Sequence, residues 1–440
     1  MNRARVEKFS YWLTLILIVY MPLHIFLSQS LSTLTGSLEV WKAAKDVLLV
    51  LWVPFALYAA YLQGAFHNSF FKKFLYIGGA YTILYALFLL LQQNPDTKTA
   101  IIGSVYNTRL LGYFLLGYVV AGSIRGKTES STVIKVTLAT CVLVASFGVM
   151  QYFLPKDFLT HFGYSIERGV KPIFYINEDP RFTRIMSTLR DPNSLGAYLL
   201  FPLLYLGSRL GSVRHISRKH VAIMCVLLCS FYLTLSRASW AGALVSAIVF
   251  AVYSIGAHRL AMLVKKYAIF VVGLVVVLSG CLYVGRNSTY VRQDLLRIND
   301  TNKEVQQLNS DEYHVKFIKD GVKSIAKKPF GYGPGTAGIV SIQNKNGSFL
   351  TENYYIQIGH EVGVIGLMLF IWLLAIIMRA LYYSRGTFCR VLFAIGVSYI
   401  LMSFVMHLWS NEAVALQWWL LSGLALGAAK EGKGNRALLQ

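Results

Sequence analysis

The stretch "TENYYIQIGHEVGVIG", residues 351–366, sets His360 and Glu361 where a long apolar run begins. A histidine titrating near pH 6.5 is neutral often enough to take a proton from a hydroxyl. Asn353, Gln357 and His360 fall at i, i+4 and i+7, so a helix starting by 353 carries them on one polar stripe. Glu361 points about 100° away from that stripe and suits a cation as partner. Cations stand at comparable places in other apolar runs: Arg109 in "YNTRLLGYFLLGYVV", Arg190 in "STLRDPNSLGAYLL", Arg237 in "LTLSRASWAGALV", and Lys42 and Lys45 beside Asp46. Singly, each has an ordinary reading. Arg109 can pair with a carboxylate and Arg190 with Asp191, the lysines can snorkel, and His360 can be capped or packed. Jointly they ask for more, because a charge near a bilayer centre costs ~2.5–3.5 kcal/mol on insertion scales. A cationic, partly dehydrated pocket suits an anionic lipid headgroup, and a pyrophosphate rewards bidentate arginines most.

The elements that must hold these residues are membrane helices. Of 440 residues, 55% are hydrophobic and only 14% charged, and the mean hydropathy is +0.52, too apolar for a soluble globule. About twelve apolar runs are long enough to span a bilayer. They centre on 11–28, 44–63, 74–91, 101–121, 133–153, 194–211, 220–235, 239–255, 268–285, 354–378, 389–409 and 413–428. The runs are continuously apolar rather than alternating, which excludes a β-barrel and predicts an all-α integral membrane bundle. The first run has basic flanks, is long and lacks a small-residue cleavage site, so it is expected to stay as an uncleaved helix.

The net charge of +22 does not point to nucleic acid, because every second loop carries the excess. Arg3, Arg5 and Lys8, then Lys72 and Lys73, then Arg218 and Lys219, then Arg379 and Arg390 mark one side. By the positive-inside rule that side is cytoplasmic, with both termini, and it puts Arg109, Arg190, Arg237, Lys42, Lys45 and His360 at the opposite leaflet. Two loops on that leaflet are long, 154–193 and 286–353. The expected organisation is helices one to nine over 1–285 with the smaller outer segment at 154–193, an outer loop domain over 286–353, and helices ten to twelve with a tail over 354–440. Within the larger loop, Val315, Ile318, Val322 and Ile325 predict an amphipathic helix ended by Pro329, and "GYGPGT" at 331–336 predicts a turn. The cysteines Cys141, Cys225, Cys229, Cys281 and Cys389 match no zinc spacing, and no D-x-D pair occurs.

The motifs "TLRDPNSLGAYL", "LTLSRASWAGALV", "KPFGYGPGT" and "ENYYIQIGHEVGVIGL", in this order and with this helix count, resemble the bacterial O-antigen ligase and polymerase superfamily, and within it the O-antigen ligases. The resemblance covers most of the chain, with its informative motifs between 187 and 366. It implies a GT-C-type glycosyltransferase of the bacterial inner membrane with a periplasmic active site. Such ligases move a glycan from undecaprenyl pyrophosphate to a sugar hydroxyl of lipid A–core in lipopolysaccharide biosynthesis, inverting the anomeric carbon without a metal or other cofactor. The donor, the acceptor and membrane lipids are then the expected partners. Arg190 and Arg237 match family arginines that bind the pyrophosphate, His360 matches the ligase histidine, and Arg109 fits less securely. Lys42 and Lys45 would add positive field, with Glu361, Gln357 and Asn353 in support. One departure stands out: polymerase-like relatives often read His-Asn where this chain has Glu352 and Asn353. The chemistry is coherent, since arginines can stabilise a departing pyrophosphate in a low-dielectric site while a histidine deprotonates the incoming hydroxyl. The rival readings are a polymerase of glycan repeats, a protein O-oligosaccharyltransferase of the same superfamily, and a flippase for a lipid-linked glycan. The last is disfavoured because no internal repeat is visible.

Overall fold

The computed structural model describes residues 3–91, 96–124, 132–176, 179–210, 217–256, 258–259, 262, 310–345, 347–351, 353–384 and 386–429. The expected helix at 268–285, the start of the larger loop at 286–309, Cys281 and Glu352 lie outside the described residues. Among the described residues, eight named α-helices precede that gap: α1 (Arg3–Thr35), α2 (Leu38–Leu62), α3 (Ser69–Leu90), α4 (Thr97–Ser123), α5 (Thr132–Phe153), α6 (Pro192–Leu210), α7 (Arg218–Leu233) and α8 (Arg237–Ile255). Four follow it: α9 (Ser310–Lys327), α10 (Tyr354–Tyr383), α11 (Thr387–Met402) and α12 (Gln417–Ala429). Seven spans among the described residues are long and apolar enough to cross a membrane: α1, α2, α3, α5, α8, α10 and Glu412–Ala429. The architecture is that of a mostly helical, multi-pass membrane protein.

α4 and α12 form the centre. Gly117 and Gly423 face each other's backbones, where an added Cβ would fall on the carbonyl oxygens of Leu420 and Phe114. Small residues let membrane helices approach this closely, and dispersion then holds them. The large buried rings Trp409, Trp419, Tyr113 and Phe114 fill the space around that contact.

Three local features depart from the sequence expectation. The run expected over 389–409 ends as helix at Met402, and residues 403–411 turn back before a π-helical turn at Glu412–Leu416. Asn411 caps that turn by accepting from the Val414 amide. Secondly, α10 is not continuous. Val362 (φ −122°, ψ 18°) and Gly363 (φ 71°, ψ −175°) break it, leaving a short entry helix, Tyr354–Glu361, before the span proper. The break frees the His360 and Glu361 carbonyls, which accept from the Tyr332 and Gly333 amides at 2.8 Å each, while the Val364 amide donates to the Pro329 carbonyl. The "FGYGPG" turn therefore plugs into the kink. Thirdly, 154–193 includes an antiparallel pair, β1 (Phe174–Ile176) and β2 (Asp179–Arg184), a small exception to the all-α reading. A satellite core of Leu159, Tyr164, Val170 and Met186 seats this segment on Phe26 of α1 and Phe147 of α5.

Candidate functional site

At the end of the bundle where the two long loops meet lies a cavity of about 1130 Å³. Its wall is built from α1, the first turns of α2 and α4, the segments 167–170, 189–194 and 339–343, and the 405–413 return loop. It is lined by Lys42, Lys45, Asp46, Arg109, Arg190 and Glu412 among others.

The segment that carries Arg190 is pinned from two sides. Gln151 of α5 accepts from the Met186 and Ser187 amides at 3.1 and 2.7 Å. The Ser187 hydroxyl donates to the Val144 carbonyl, and the Thr188 hydroxyl donates to the Pro22 carbonyl of α1. Ser187 is held at φ 55°, a conformation that non-glycine residues adopt only when the surroundings dictate it. Asp191 next door is occupied as a cap, accepting from the Ser194 amide at 2.8 Å and its hydroxyl at 2.7 Å. Arg190 thus does not pair with Asp191. It lines the cavity with no hydrogen bond or ion pair to any described residue.

Arg109 and Lys45 stand differently. Arg109 Nη1 donates to Asp46 Oδ2 at 2.8 Å, both of its Nη atoms lie 3.4 Å from Glu412 Oε1, and the guanidinium sits 3.8 Å over the Tyr106 ring. Lys45 Nζ donates to Asp46 Oδ2 at 3.1 Å and lies 3.5 Å from Glu412 and 3.2 Å from His24 Nε2. Two cations and two carboxylates so close form a nearly neutral cluster tying α1, α2, α4 and the return loop together. Lys42, at the rim, lies 3.7 Å from Glu39. Asp46 stood in view beside Lys45 in the sequence, whereas Glu412 and His24 were missed. The signal was available, since a lone ionisable residue inside an apolar run is itself a pointer to a site.

His360 and Arg237 are not part of this cavity wall. Arg237 is exposed at the first turn of α8, behind the Ser236 cap. His360 is buried at 5% exposure on the entry helix. Its ring is clamped between Tyr332 (4.3 Å, 8°) and Phe349 (4.4 Å, 10°), and its Nδ1 lies 2.7 Å from the Ser324 hydroxyl of α9. Nε2 has no hydrogen-bond partner among the described residues. Between His360 and the cavity runs the segment after the "GYGPGT" turn. It touches α10 through Gly335, Ala337 and Gly338 and lines the cavity through Ile339–Gln343.

Glu361 anchors that segment. Its carboxylate is fully buried and accepts from the Gly335 amide at 3.1 Å, the Ala337 amide at 3.4 Å and Asn107 Nδ2 at 2.7 Å. The cation expected as its partner is absent among the described residues; backbone amides and a carboxamide take its place. The expected polar stripe is also divided. Asn353 is the cap of α10, accepting from the Tyr355 and Ile356 amides and donating to the Phe404 carbonyl, while Gln357 packs against Gly338.

His407, on the return loop, is a further cavity residue that the sequence reading passed over. Its Nε2 meets the Thr351 carbonyl, which can only accept, so Nε2 carries the proton. Burial first, and the Arg190 charge second, push its pKa down to about 4.

Residues 222–371 match a family model described as O-antigen ligase. The match runs from α7 into α10 and includes Arg237, the "GYGPGT" turn, His360 and Glu361. No curated protein sequence matches the chain.

Proposed function

From the match of residues 222–371 to an O-antigen ligase family model, we propose that the chain belongs to that superfamily and transfers a glycan from undecaprenyl pyrophosphate to a sugar hydroxyl of lipid A–core. In this reading the protein is a metal-independent, inverting GT-C-type enzyme of the bacterial inner membrane. Its termini are cytoplasmic and the cavity opens to the periplasmic side. The observation that carries the proposal is Arg190: a guanidinium with no hydrogen bond or ion pair to a described residue, rigidly presented to a cavity large enough for a diphosphate and its first sugar.

The acceptor oxygen attacks the anomeric carbon, the bond from that carbon to the pyrophosphate oxygen breaks, and its electron pair leaves with the pyrophosphate. Arg190 offers charge-assisted hydrogen bonds to the charge that develops there. Arg109 and Lys45 act through the cluster they form with Asp46 and Glu412, setting the field of the cavity floor rather than binding the diphosphate directly. Lys42 and Arg237 flank the approach. His360 takes the acceptor's proton at Nε2, its Nδ1 side being held by Ser324. For that step the acceptor must enter from the α9 side and the 335–344 segment must give way, because this segment separates His360 from Arg190.

A polymerase or a protein O-oligosaccharyltransferase would use the same donor half-reaction and differ only in acceptor. Purified protein given undecaprenyl-pyrophosphate glycan and lipid A–core separates them. Lengthened lipopolysaccharide with released undecaprenyl pyrophosphate is expected. Longer lipid-linked chains with unmodified lipid A–core would mean a polymerase, and intact donor carried across a bilayer would mean transport.

A further inference from the structure

α9 presents three distinct sectors. At about 100° per residue, Gly321, Ser324 and Ile325 share one side, which docks on the entry helix of α10. Gly321 lies against Ile356, Ile325 against Gly359, and Ser324 bonds His360. The adjoining sector is apolar yet bare: Ile318 is 38% and Val322 57% exposed, and Phe330 just past the helix is 74% exposed. The third sector holds Lys316, Lys319, Lys323 and Lys327 at spacings of three, four and four residues, all exposed. An apolar strip bordered by a lysine row is the pattern of a helix lying in a membrane interface, with apolar side chains among the acyl ends and ammonium groups at the phosphates.

We propose that α9 lies in the headgroup layer of the surrounding bilayer and binds its anionic lipid phosphates through Lys316, Lys319, Lys323 and Lys327. The place in the fold agrees. α9 packs on the short helix that precedes the kink, and the longer apolar part of α10 runs on from Val364, directly after it. Anchoring this helix also anchors the Ser324 end that holds His360, so lipid charge bears on the order of the outer segment. None of this depends on the reaction proposed above.

Hydrogen–deuterium exchange over 316–327 tests it, with the full chain in nanodiscs of phosphatidylcholine alone or mixed with phosphatidylglycerol. The α9 amides are expected to exchange about tenfold more slowly in the anionic discs, a modest demand on four lysines near a charged surface. The difference should vanish when the four lysines are changed to Gln, with the amides of α4 serving as an internal check of folding. Equal exchange of the unmodified chain in both discs overturns the proposal. So does a difference that survives the four substitutions. Slowing by inorganic phosphate in neutral discs would also overturn it, because the row would then be a site for soluble anions.

Discussion

Arg109 and Arg190 look alike in the sequence, each an arginine at the outer end of an apolar run, yet their surroundings give them different work. Arg109 is enclosed by Asp46 and Glu412, so its charge is compensated within the protein. Removing one partner from such a buried set leaves an uncompensated ion at a typical cost of about 3–5 kcal/mol. Asp46→Asn should therefore lower the melting temperature of the detergent-solubilised protein sharply, an outcome that a surface ion pair would not produce. Arg190 makes no ion pair or hydrogen bond to a described residue, and its substitution should leave folding intact while slowing glycan transfer about 10²-fold. Arg190→Lys should recover little, since an ammonium cannot make the forked contact. His407 adds a pH dependence with a definite sign. Its folded pKa, about 4, lies below the ordinary histidine value, so the unfolded chain binds the proton first. The stability it contributes is full above about pH 6.5 and is lost as pH falls from there towards 4. Melting curves over that range should be steeper for the unmodified protein than for His407→Gln.

At the scale of elements, the kink in α10 matters most. Apolar continuity showed that a helix starts near residue 354, and it does start at Tyr354. It did not show the break, because Gly363 sits in "HEVGVIG" without a proline, and glycine alone inside a membrane helix is common. What forces the break is distant in sequence: the 329–333 turn takes over the His360 and Glu361 carbonyls. Likewise, hydropathy ran the helix at 389 through to 409, since nothing local between Met402 and Asn411 announces a stop. The pull there comes from Arg109, which donates to the Ser410 carbonyl and pairs with the Glu412 carboxylate. The amphipathic helix and the "GYGPGT" turn were legible because their signals are local. Gly363→Ala should disturb the kink twice over. Alanine at φ 71°, ψ −175°, a region essentially reserved for glycine, costs about 1–3 kcal/mol, and its Cβ would fall on the Pro329 carbonyl oxygen. Protease sensitivity of the 328–345 segment should rise. Glu361→Ala should produce the same opening from the other side, with a loss of stability of several kcal/mol, because each buried donor left unpaired costs about 1–3 kcal/mol.

For the whole molecule, what the structure adds to the charge pattern of the loops is which segments lie together. The 154–193 segment, the 331–353 segment and the 403–411 return all meet at one end of the bundle around one cavity. The sequence grouped Arg109, Arg190, Lys42 and Lys45 at that end, and all four line the cavity. It could not distinguish a cavity-lining residue from one behind a neighbouring wall, which is how His360 and Arg237 came to be grouped with them. Faces of helices are set by packing partners far away in the chain, and no local pattern encodes which side of the 335–344 segment a histidine takes. In the proposed reaction Arg190 receives the diphosphate of the lipid carrier. Binding of undecaprenyl pyrophosphate to the purified protein and to Arg190→Ala, compared at matched detergent and salt, tests it most directly. Binding at least about tenfold weaker in the variant, with an unchanged melting temperature, is expected; equal affinity in the two proteins would mean that Arg190 does not hold the diphosphate.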